Sequence, residues 1–457
     1  LTHGPQLLKA VGSKNVYSAT SVDQLPQQLI ATLMFGHQFL VPIPDIDRTQ
    51  YFLIFGGNPM ASNGSLMTVP DFPQRARDLR ARGAKMVVFD PRRTETAAIA
   101  DEHVPVRPGT DAYLLLAMLH VVFADDLVSA PTWIDDLSPV ADLVATFTPE
   151  RAEQVSGVSA ATIRRITHEY AAAEGAAAYG RLGVSVQEFG LVCHWAIHVL
   201  NIVTGNLDRE GGVMLTKPAI DVVGRGVVGR GGHGRYVSRV RGLPESGREL
   251  PVATLTDEIV TPGEGQIKAL VTVAGNPVLS TPGGQHLEQA LDHLDFQVAI
   301  DIYVNETTRH AEVILPPTTA LERDHYDLIF HVLAVRNTAR FTPLPSTTKP
   351  SMSSPASSGR AYPTAAPTSV TRTTCTGMIQ PSWPSPSRTI ATSGRLKIPS
   401  STRNAPTRIR IVHPTTELMP PTLVPWARCP LITLASGRLV APRAKLPDAV
   451  AGWAQHR

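Results

Sequence analysis

Residues 1–340 alternate short apolar runs with segments of helical spacing. Tyr51–Phe55 and residues 86–89 are apolar runs typical of buried strands, and residues 75–83 between them predict a polar helix. An apolar helix is predicted at residues 113–123. Strands that alternate with helices in this way predict an α/β fold with mostly parallel sheets.

The same order of elements occurs a second time. An apolar run at residues 269–274 precedes a helix-like segment at 286–294 and a second apolar run at Phe296–Ile300. In both places the first run leads into Gly-Asn-Pro and the second ends in an aspartate. Two related α/β units predict two similar nucleotide-shaped ligands, or one ligand with two such arms. We therefore place a first unit at 1–215 and a second, incomplete unit at 216–340.

The remaining residues, 341–457, show no helical or strand period beyond a few positions. They hold 18 of the 39 prolines and 14 of the 42 Lys and Arg residues but only two acids, so they carry +12 whereas residues 1–340 carry −9. Such a chain cannot bury enough apolar surface to offset its ordering entropy, and we expect an irregular, disordered tail. Scattered Pro, Ser, Thr, Ala and Arg are typical of out-of-frame GC-rich DNA. We therefore interpret the tail as an aberrant, frameshift-like continuation.

Composition argues against several classes of protein. The three cysteines form no Cys-x-x-Cys pair, which disfavours a disulfide framework and a cysteine-ligated cluster or zinc site in this chain. No apolar run reaches the roughly 20 residues of a membrane helix. No signal-like stretch opens the chain, so we expect a cytoplasmic protein. The basic residues of the tail are scattered among few aromatic residues, which disfavours nucleic-acid binding.

The first candidate ligand site is the turn Gly57-Asn58-Pro59. Glycines after a strand let backbone N–H groups approach a phosphate, at the sheet edge where open α/β sheets bind ligands. Asp90 ends the next strand, as does the acid that binds a ribose hydroxyl in dinucleotide folds. Arg92 and Arg93 could contact phosphate oxygens bidentately. The alternatives are a tight turn before a helix and a solvated arginine pair.

Three further motifs carry less information. Gly109 and Asp111 lie where an Arg-Pro-Gly turn leads into a helix, whose N-terminus favours anions or polar purine edges. The formal dinucleotide spacing at residues 224–229 is followed by more glycines, so no helix can start there and a flexible connection between the units is favoured. His194 and His198 have a zinc-like spacing without a following glutamate, which favours a structural role.

Seven stretches resemble one protein family in order and spacing. They are Gly57-Asn58-Pro59, 88–97, 106–112, Gly180-Arg181-Leu182-Gly183, 200–206, Gly275-Asn276-Pro277, and 306–308 leading into 311–316. From about residue 16 to 341 the chain resembles the large subunit of the dimethyl-sulfoxide-reductase family of molybdenum enzymes, as an interior fragment of it.

The resemblance implies an oxidoreductase that binds molybdenum bis(molybdopterin guanine dinucleotide), with one dinucleotide on each unit. It implies a 4Fe-4S cluster in a part of the enzyme that precedes Leu1. It also implies a β-barrel that closes over the cofactor after about residue 341, where the tail stands instead. Besides the turn residues named above, it implies as cofactor-binding residues Gly183, Gly205, Asn206, Gly275, Asn276 and Pro277.

The resemblance places Asp23 at the position of the metal ligand, in the loop before the first dinucleotide strand. Gln24 stands where formate dehydrogenases usually carry a histidine. A carboxylate is a hard ligand that suits a high-valent oxo-metal, and an aspartate ligand resembles the membrane-type nitrate reductase branch. The alternative is that Asp23 only caps a helix at 24–33. As a metal ligand, Asp23 should lie at the mouth of the cleft between the units.

The function implied is oxygen-atom or hydride-equivalent transfer on a small-molecule substrate, with electrons passed to an iron–sulfur relay and an electron-transfer subunit. One alternative is a formate dehydrogenase, which Asp23 and Gln24 disfavour. A second is an NAD-dependent dehydrogenase, which neither unit supports with a convincing glycine fingerprint. A third is a non-catalytic, truncated product of a frameshifted gene. For the dinucleotide site, Asn58, Asp90 and Gly109 should converge at the carboxyl ends of the first sheet's strands.

Overall fold

The computed structural model describes residues 10–134, 136–319 and 327–337, together with three short strands between residues 411 and 440. The strands are β1 Val16–Tyr17, β2 Ile43–Pro44, β3 Tyr51–Phe55, β4 Lys85–Phe89, β5 Glu102–Val104, β6 Ala176–Gly180, β7 Val213–Met214, β8 His233–Val237, β9 Pro244–Ser246, β10 Ala269–Val273, β11 Phe296–Ile300, β12 Val313–Ile314, β13 Ile411–Val412, β14 Thr433–Ala435 and β15 Arg438–Val440.

The helices alternate with these strands. They are α1 Leu25–Phe35, α2 Pro59–Ser62, α3 Phe72–Ala81, α4 Glu95–Ile99, α5 Asp111–Ala124, α6 Ser138–Val144, α7 Pro149–Ser156, α8 Ala160–Ala172, α9 Leu182–Ser185, α10 Gly190–Val203, α11 Leu255–Val260, α12 Pro277–Ser280 and α13 Gly284–Leu291. Single 3-10 turns occur at Ala19–Val22, Ser65–Met67, Val252–Thr254, Thr308–His310 and Phe330–Leu333.

The first sheet has four parallel strands in the order β5-β4-β3-β6. Every residue of β3 and β6 is buried, as expected for parallel strands that helices cover on both faces. The chain goes from β3 to β4 and β5 on one side and later reaches β6 on the other. The strand order therefore reverses between β3 and β6, which is where open α/β sheets form a ligand crevice at their carboxyl ends.

The second sheet is also parallel, in the order β1-β13-β10-β11-β12. Strands β10 and β11 pair in continuous register from Ala269 opposite Phe296 to Val273 opposite Ile300. The predicted α/β class with parallel sheets is thus confirmed, and the strands predicted at 51–55 and 296–300 have the predicted bounds.

Two segments of the chain are each buried in the hydrophobic core of the sheet that is farther from them in sequence. Tyr17 and Val22 precede the first sheet in sequence, yet they are buried in the second core with Leu255. Val332 and Leu333 follow the second sheet, yet they are buried in the first core. The division of the chain at residue 215 stays a prediction, and these two segments show that neither core is built from one continuous stretch.

The glycine-rich stretch at residues 224–234 forms turns and then enters strand β8 rather than a helix. This confirms that it is no dinucleotide fingerprint, because no helix N-terminus follows it. Gln38 holds this stretch against the end of α1: its backbone N–H donates to the carbonyl of Arg230 at 3.0 Å, and its side-chain amide donates to the carbonyl of Gly229 at 2.9 Å.

His194 and His198 lie in the buried face of α10. His194 Nε2 is 2.8 Å from the hydroxyl of Ser185, and the ring of His198 packs edge-on against Phe35 with centroids 5.4 Å apart. Burial lowers the pKa of His198 to about 4. Both imidazoles therefore belong to the core, as the absence of a following glutamate indicated.

The predicted irregular tail at 341–457 lies outside the described residues, apart from strands β13, β14 and β15. Among the helices that the structure describes, none combines the length and the apolar character needed to cross a bilayer.

Candidate functional site

The turn after β3 is held by the side chain of Asn58. Its Oδ1 accepts hydrogen bonds from the hydroxyl of Thr96 at 2.8 Å and from the backbone N–H of Thr96 at 3.2 Å. Its Nδ2 donates to Glu95 at 2.7 Å, and the N–H of Met60 donates to the Thr96 hydroxyl at 3.0 Å. The amide of Asn58 thus ties the turn to the start of α4, which leaves the backbone of the turn as the part that can meet a ligand.

The turn after β10 repeats these contacts. Asn276 Nδ2 donates to Glu306 at 2.5 Å, and Asn276 Oδ1 accepts from the hydroxyl of Thr307 at 2.8 Å. The N–H of Val278 donates to the same hydroxyl at 3.0 Å. The two asparagines have nearly the same backbone angles, with φ −128° and ψ 68° for Asn58 and φ −121° and ψ 68° for Asn276. The two turns are therefore structurally equivalent.

The residues before each Gly-Asn-Pro are equivalent as well. The N–H of Gly56 donates to the carbonyl of Phe89 at 2.9 Å, and the N–H of Ala274 donates to the carbonyl of Ile300 at 2.8 Å. Both residues have positive φ, 56° for Gly56 and 50° for Ala274. The same left-handed residue therefore follows the first strand in both sheets.

An aspartate stands at the carboxyl end of the neighbouring strand in each sheet. Asp90 follows β4 and accepts from the N–H of Arg92 at 2.8 Å, and Asp301 follows β11 and accepts from the N–H of Tyr303 at 2.9 Å. Burial raises the pKa of Asp90. Each carboxylate is thus fixed by its own backbone and keeps a second oxygen for a further donor.

The crevice between β3 and β6 is closed at its base by two glycines. The N–H of Gly183 donates to the carbonyl of Gly56 at 2.9 Å. A Cβ on Gly56 would lie 2.7 Å from the Cα of Gly183, and a Cβ on Gly183 would lie 2.7 Å from the Cα of Gly56. Because backbone meets backbone here, neither position has space for a side chain.

Arg181, directly after β6, connects this crevice with Asp23. Its Nη2 donates to Asp23 Oδ1 at 2.8 Å and its Nη1 to the amide oxygen of Gln27 at 3.2 Å. The residue is only 5% exposed, and its buried Nε has no hydrogen-bond partner in the described part of the chain. Burial raises the pKa of Asp23, and the Arg181 guanidinium partly offsets that rise.

Asp23 does not cap the helix that follows it. Helix α1 begins after Gln24, which makes no side-chain capping bond, and the Asp23 carboxylate contacts Arg181 instead. The capping alternative is therefore wrong. Asp23 lies where the chain passes from Val22 in the second core towards Ile30 in the first core. Its position as a metal ligand stays a prediction.

Asp111 is a second buried carboxylate, at the first turn of α5. The side-chain amide of Gln187 donates to it at 2.9 Å, while the buried amide oxygen of Gln187 has no partner among the residues that the structure describes. Burial raises the pKa of Asp111 to about 6, and the charge of Asp90 contributes to the rise. Asp111 and Asp90 are therefore close enough to interact. The buried Asp111 carboxylate and the Gln187 amide oxygen both lower the stability of the fold, as is common for polar groups at ligand sites.

We predict that Asp111→Asn stabilises the protein at pH 7 and not at pH 4. A carboxyl group whose pKa is raised by folding contributes stability below its unfolded value of 3.8, and that contribution is lost as the pH rises through about 6. At pH 7 the neutral amide should raise the free energy of unfolding by about 2 kcal/mol. Urea unfolding at both pH values measures this, with Asp78→Asn on the exposed side of α3 as the control. Equal effects at the two pH values would contradict the prediction.

Gly109 has φ +79° and no atom within 4 Å of a Cβ position, so it supplies conformation rather than space. The guanidinium of Arg107 donates to the backbone carbonyls of Gln154, at 3.3 Å, and Val155 at the end of α7. The guanidinium of the Arg-Pro-Gly turn therefore binds backbone carbonyls of the protein itself. Asn58, Asp90 and Gly109 each follow a strand of the first sheet on its carboxyl side, after β3, β4 and β5.

Gly205 and Asn206 are not brought to this edge. Asn206 is buried, and its amide oxygen accepts from the N–H of Ala176, the first residue of β6. A Cβ on Gly205 would lie 2.6 Å from the carbonyl oxygen of Ser129. Both residues lie at the amino end of β6, and Arg181 follows its carboxyl end. The two residues therefore lie at the opposite end of β6 from Arg181, and their role in cofactor binding stays a prediction.

Several residues of the site were not singled out as site residues from the sequence. They are Gly56, Glu95, Thr96, Arg181, Gln187, Asp301, Glu306 and Thr307. One signal was present: in both units Glu-Thr follows the strand-ending aspartate at the same distance, so that Asp90 precedes Glu95 as Asp301 precedes Glu306. This repeated spacing identifies the partners of the two asparagines.

The described residues contain no group of three or more His, Cys, Asp and Glu side chains that could hold a metal ion. A metal at this site would therefore need most of its ligands from a cofactor. The unpartnered Arg181 Nε, the unpartnered Gln187 amide oxygen and two fixed aspartates are polar groups that fit an extended polar cofactor along the carboxyl edges.

The chain is similar to subunits of a formate dehydrogenase and of a thiosulfate reductase. It is 29% identical over 300 residues to the F420-dependent formate dehydrogenase subunit alpha of Methanocaldococcus jannaschii, covering 62% of this chain and 43% of that protein. It is 28% identical over 350 residues to the thiosulfate reductase molybdopterin-containing subunit PhsA of Salmonella typhimurium, covering 71% and 44%. The match thus spans less than half the length of these relatives.

The fold is similar to that of the acetylene hydratase from Pelobacter acetylenicus, with a TM-score of 0.54 and 17% identity over 70% of this chain and 51% of that one. The sequence profile of the molybdopterin oxidoreductase family matches residues 2–338. The repeated turns, the two parallel sheets and this match lead to one conclusion: the chain belongs to the molybdopterin oxidoreductase family.

Proposed function

We propose that this chain is part of the catalytic subunit of a molybdenum-dependent oxidoreductase and holds molybdenum bis(molybdopterin guanine dinucleotide) across its two sheets. The observation that carries the proposal is the repeated turn at Gly57-Asn58-Pro59 and Gly275-Asn276-Pro277, with the same hydrogen bonds in both places. Two equivalent turns at the carboxyl ends of two parallel sheets suit a cofactor with two equivalent arms.

Each arm of the cofactor would be held in a similar way. The backbone of the Gly-Asn-Pro turn, free of side-chain bulk at the glycine, would face a phosphate. The carboxylates of Asp90 and Asp301 would accept hydrogen bonds from ribose hydroxyls through the oxygen that their own backbone leaves open. In the first sheet Asp111 would accept from a polar purine edge. Gly183 would keep the crevice narrow, because its backbone contacts Gly56.

Asp23 would supply the protein's ligand to the metal. Its carboxylate is half-buried, with 17% of the side chain exposed, and is held by Arg181, which also donates to Gln27. The guanidinium would orient the carboxylate and compensate its charge, as partners behind a metal ligand commonly do. When bound, the molybdenum would supply the two-electron redox chemistry, and the residues of this chain would position the cofactor and a small substrate.

The complete enzyme would transfer an oxygen atom or a hydride equivalent and pass electrons to a 4Fe-4S relay outside this chain. The relatives are named as subunits, which supports an electron-transfer subunit as partner. A formate dehydrogenase is the second candidate, favoured by the relative of that name from Methanocaldococcus jannaschii. The interpretation of residues 341–457 as an aberrant continuation remains part of this proposal.

The test is the metal and nucleotide content of the complete enzyme and its Asp23→Ala variant. We expect two guanine nucleotides per molybdenum after acid release from the parent enzyme. The variant should keep the nucleotides but change its molybdenum coordination, measured by X-ray absorption, and lose activity. Asp78→Ala is the control with an exposed carboxylate. Unchanged coordination and activity in Asp23→Ala would remove Asp23 from the role, and the absence of guanine nucleotide from the parent enzyme would refute the proposed cofactor.

A further inference from the structure

We propose that the two sheets recognise their nucleotides by different chemistry: the first through the charge of Arg92 and Arg93, and the second through a purine base stacked on Tyr303. This inference rests on the proposed function and assigns Tyr303 as a residue that determines how the second arm is bound. It starts from a comparison of the two loops that follow the strand-ending aspartates.

The two loops correspond residue by residue. Each begins with an aspartate whose carboxylate accepts the N–H two residues further on, from Arg92 at 2.8 Å and from Tyr303 at 2.9 Å. Each reaches its Glu-Thr pair after the same number of residues, and both pairs hold an asparagine in the same way. Arg92 therefore corresponds to Tyr303, and the next position pairs Arg93 with Val304.

The side chains at these corresponding positions are exposed but differ in charge. The side chain of Arg92 is 69% exposed, while Tyr303 is 69% and Val304 73% exposed. The second loop carries no cation between Asp301 and Glu306. A phosphate beside the first loop would therefore meet two guanidinium groups, of which that of Arg92 lies 3.8 Å from Glu95, whereas the second loop offers an aromatic face and aliphatic groups.

Tyr303 is well suited to stacking because its backbone is held on both sides. Its N–H donates to Asp301, and its carbonyl accepts from the hydroxyl of Thr308 at 2.9 Å. Among the described residues, no ring pair or cation–π contact involves the Tyr303 ring. A ring on a fixed backbone loses little freedom on binding, and a purine face is a favourable partner for it.

The correspondence between the loops after Asp90 and Asp301 indicates which ligand group would contact the exposed apolar loop. Asp301 is held as Asp90 is held, so a ribose bound at Asp301 would carry its base within reach of the neighbouring ring. The exposed Ile302 and the exposed Leu279, on the helix that starts at the second Gly-Asn-Pro turn, extend the apolar surface at this edge. A base fits such a surface, whereas a phosphate would find no positive charge in the loop.

The test titrates the full chain with GDP and with guanosine, followed by saturation-transfer NMR, at about 50 mM and about 500 mM NaCl. The double variant Arg92→Ala/Arg93→Ala weakens the first site, so that binding to the second site is observed. Tyr303→Ala weakens the second site, so that binding to the first site is observed. In the arginine variant we expect GDP and guanosine to bind with similar affinity, with less than about a twofold change on adding salt. In Tyr303→Ala we expect GDP to bind more tightly than guanosine and to weaken about tenfold at high salt.

Adding Tyr303→Ala to the arginine variant removes the stacked ring, so GDP and guanosine should bind the second site about tenfold more weakly. Tyr303→Phe should restore binding, because the ring rather than the hydroxyl carries the interaction. Phe296→Ala, at the other end of β11, and Arg77→Ala/Arg80→Ala, on α3, are the matched controls and should bind as the parent does. Circular dichroism confirms that each variant is folded.

The titrations distinguish a failure of the proposed cofactor site from a failure of the inference about Tyr303. If the folded parent chain binds neither GDP nor guanosine, both the proposed cofactor site and this inference are overturned. If it binds GDP but the two single-site variants show the same salt dependence and the same preference for GDP, only the inference is overturned. Retained guanosine binding after Tyr303→Ala in the arginine variant, with contacts to another segment of the chain, also overturns it.

Discussion

Gly56→Ala is expected to lower the free energy of unfolding by about 3 kcal/mol. The new Cβ would occupy a position 2.7 Å from the Cα of Gly183 and 2.8 Å from the N of Val184, both backbone atoms that cannot rotate away. The residue would also be held at φ +56°, which disfavours any side chain. Relaxation would have to open the base of the crevice and weaken the hydrogen bond from Gly183 to Gly56.

Two other glycine variants separate these causes. Gly83→Ala introduces a side chain at φ +77° with nothing within 4 Å, so it should cost only the conformational strain of about 1 kcal/mol. Gly183→Ala introduces the close contact without a positive φ and should cost about 2 kcal/mol. Denaturant unfolding measures all three. If Gly56→Ala costs no more than Gly83→Ala, the contact at the crevice is not important for stability.

Arg181→Met is expected to lower the free energy of unfolding at pH 7 by about 3 kcal/mol. The substitution leaves the half-buried carboxylate of Asp23 without its cationic partner and removes a hydrogen bond to Gln27. A single charge left in a buried position costs more than the pair contributes, because the desolvation of the remaining group is no longer compensated. Thermal and urea unfolding of the variant provide the measurement.

The double variant Asp23→Asn/Arg181→Met shows whether the stranded charge is the cause. It should recover about half or more of the lost stability, because neither buried charge remains. Arg164→Met is the matched control, since Arg164 pairs with Glu150 on the surface and both side chains are exposed. That substitution should cost less than about 1 kcal/mol. A double variant as unstable as Arg181→Met would show that Arg181 acts through packing rather than through its charge.

Local patterns explain why much of the fold could be predicted. The run Tyr51–Phe55 is apolar at every position, and strands buried on both faces of a parallel sheet need this composition. The segment Phe296–Ile300 was also predicted as a strand, although it contains Gln297 and only two of its five residues are buried. Helix bounds were less accurate: the helix predicted at 75–83 is Phe72–Ala81, because its Asp71 cap lies before the first periodic residue. The Gly-Asn-Pro turns were recognisable because turn chemistry depends on neighbouring residues.

The α/β class, the position of most strands, the repeated Gly-Asn-Pro turns and the resemblance to molybdenum enzymes could be predicted, because each depends on residues close together in the chain. Which side chains meet depends on the three-dimensional fold. Arg181 contacts Asp23 across 158 residues, and Asp111 contacts Gln187 across 76. The amide oxygen of Asn206 accepts from the N–H of Ala176, 30 residues away in the chain. These contacts depend on strand order and strand direction, which local periodicity does not encode.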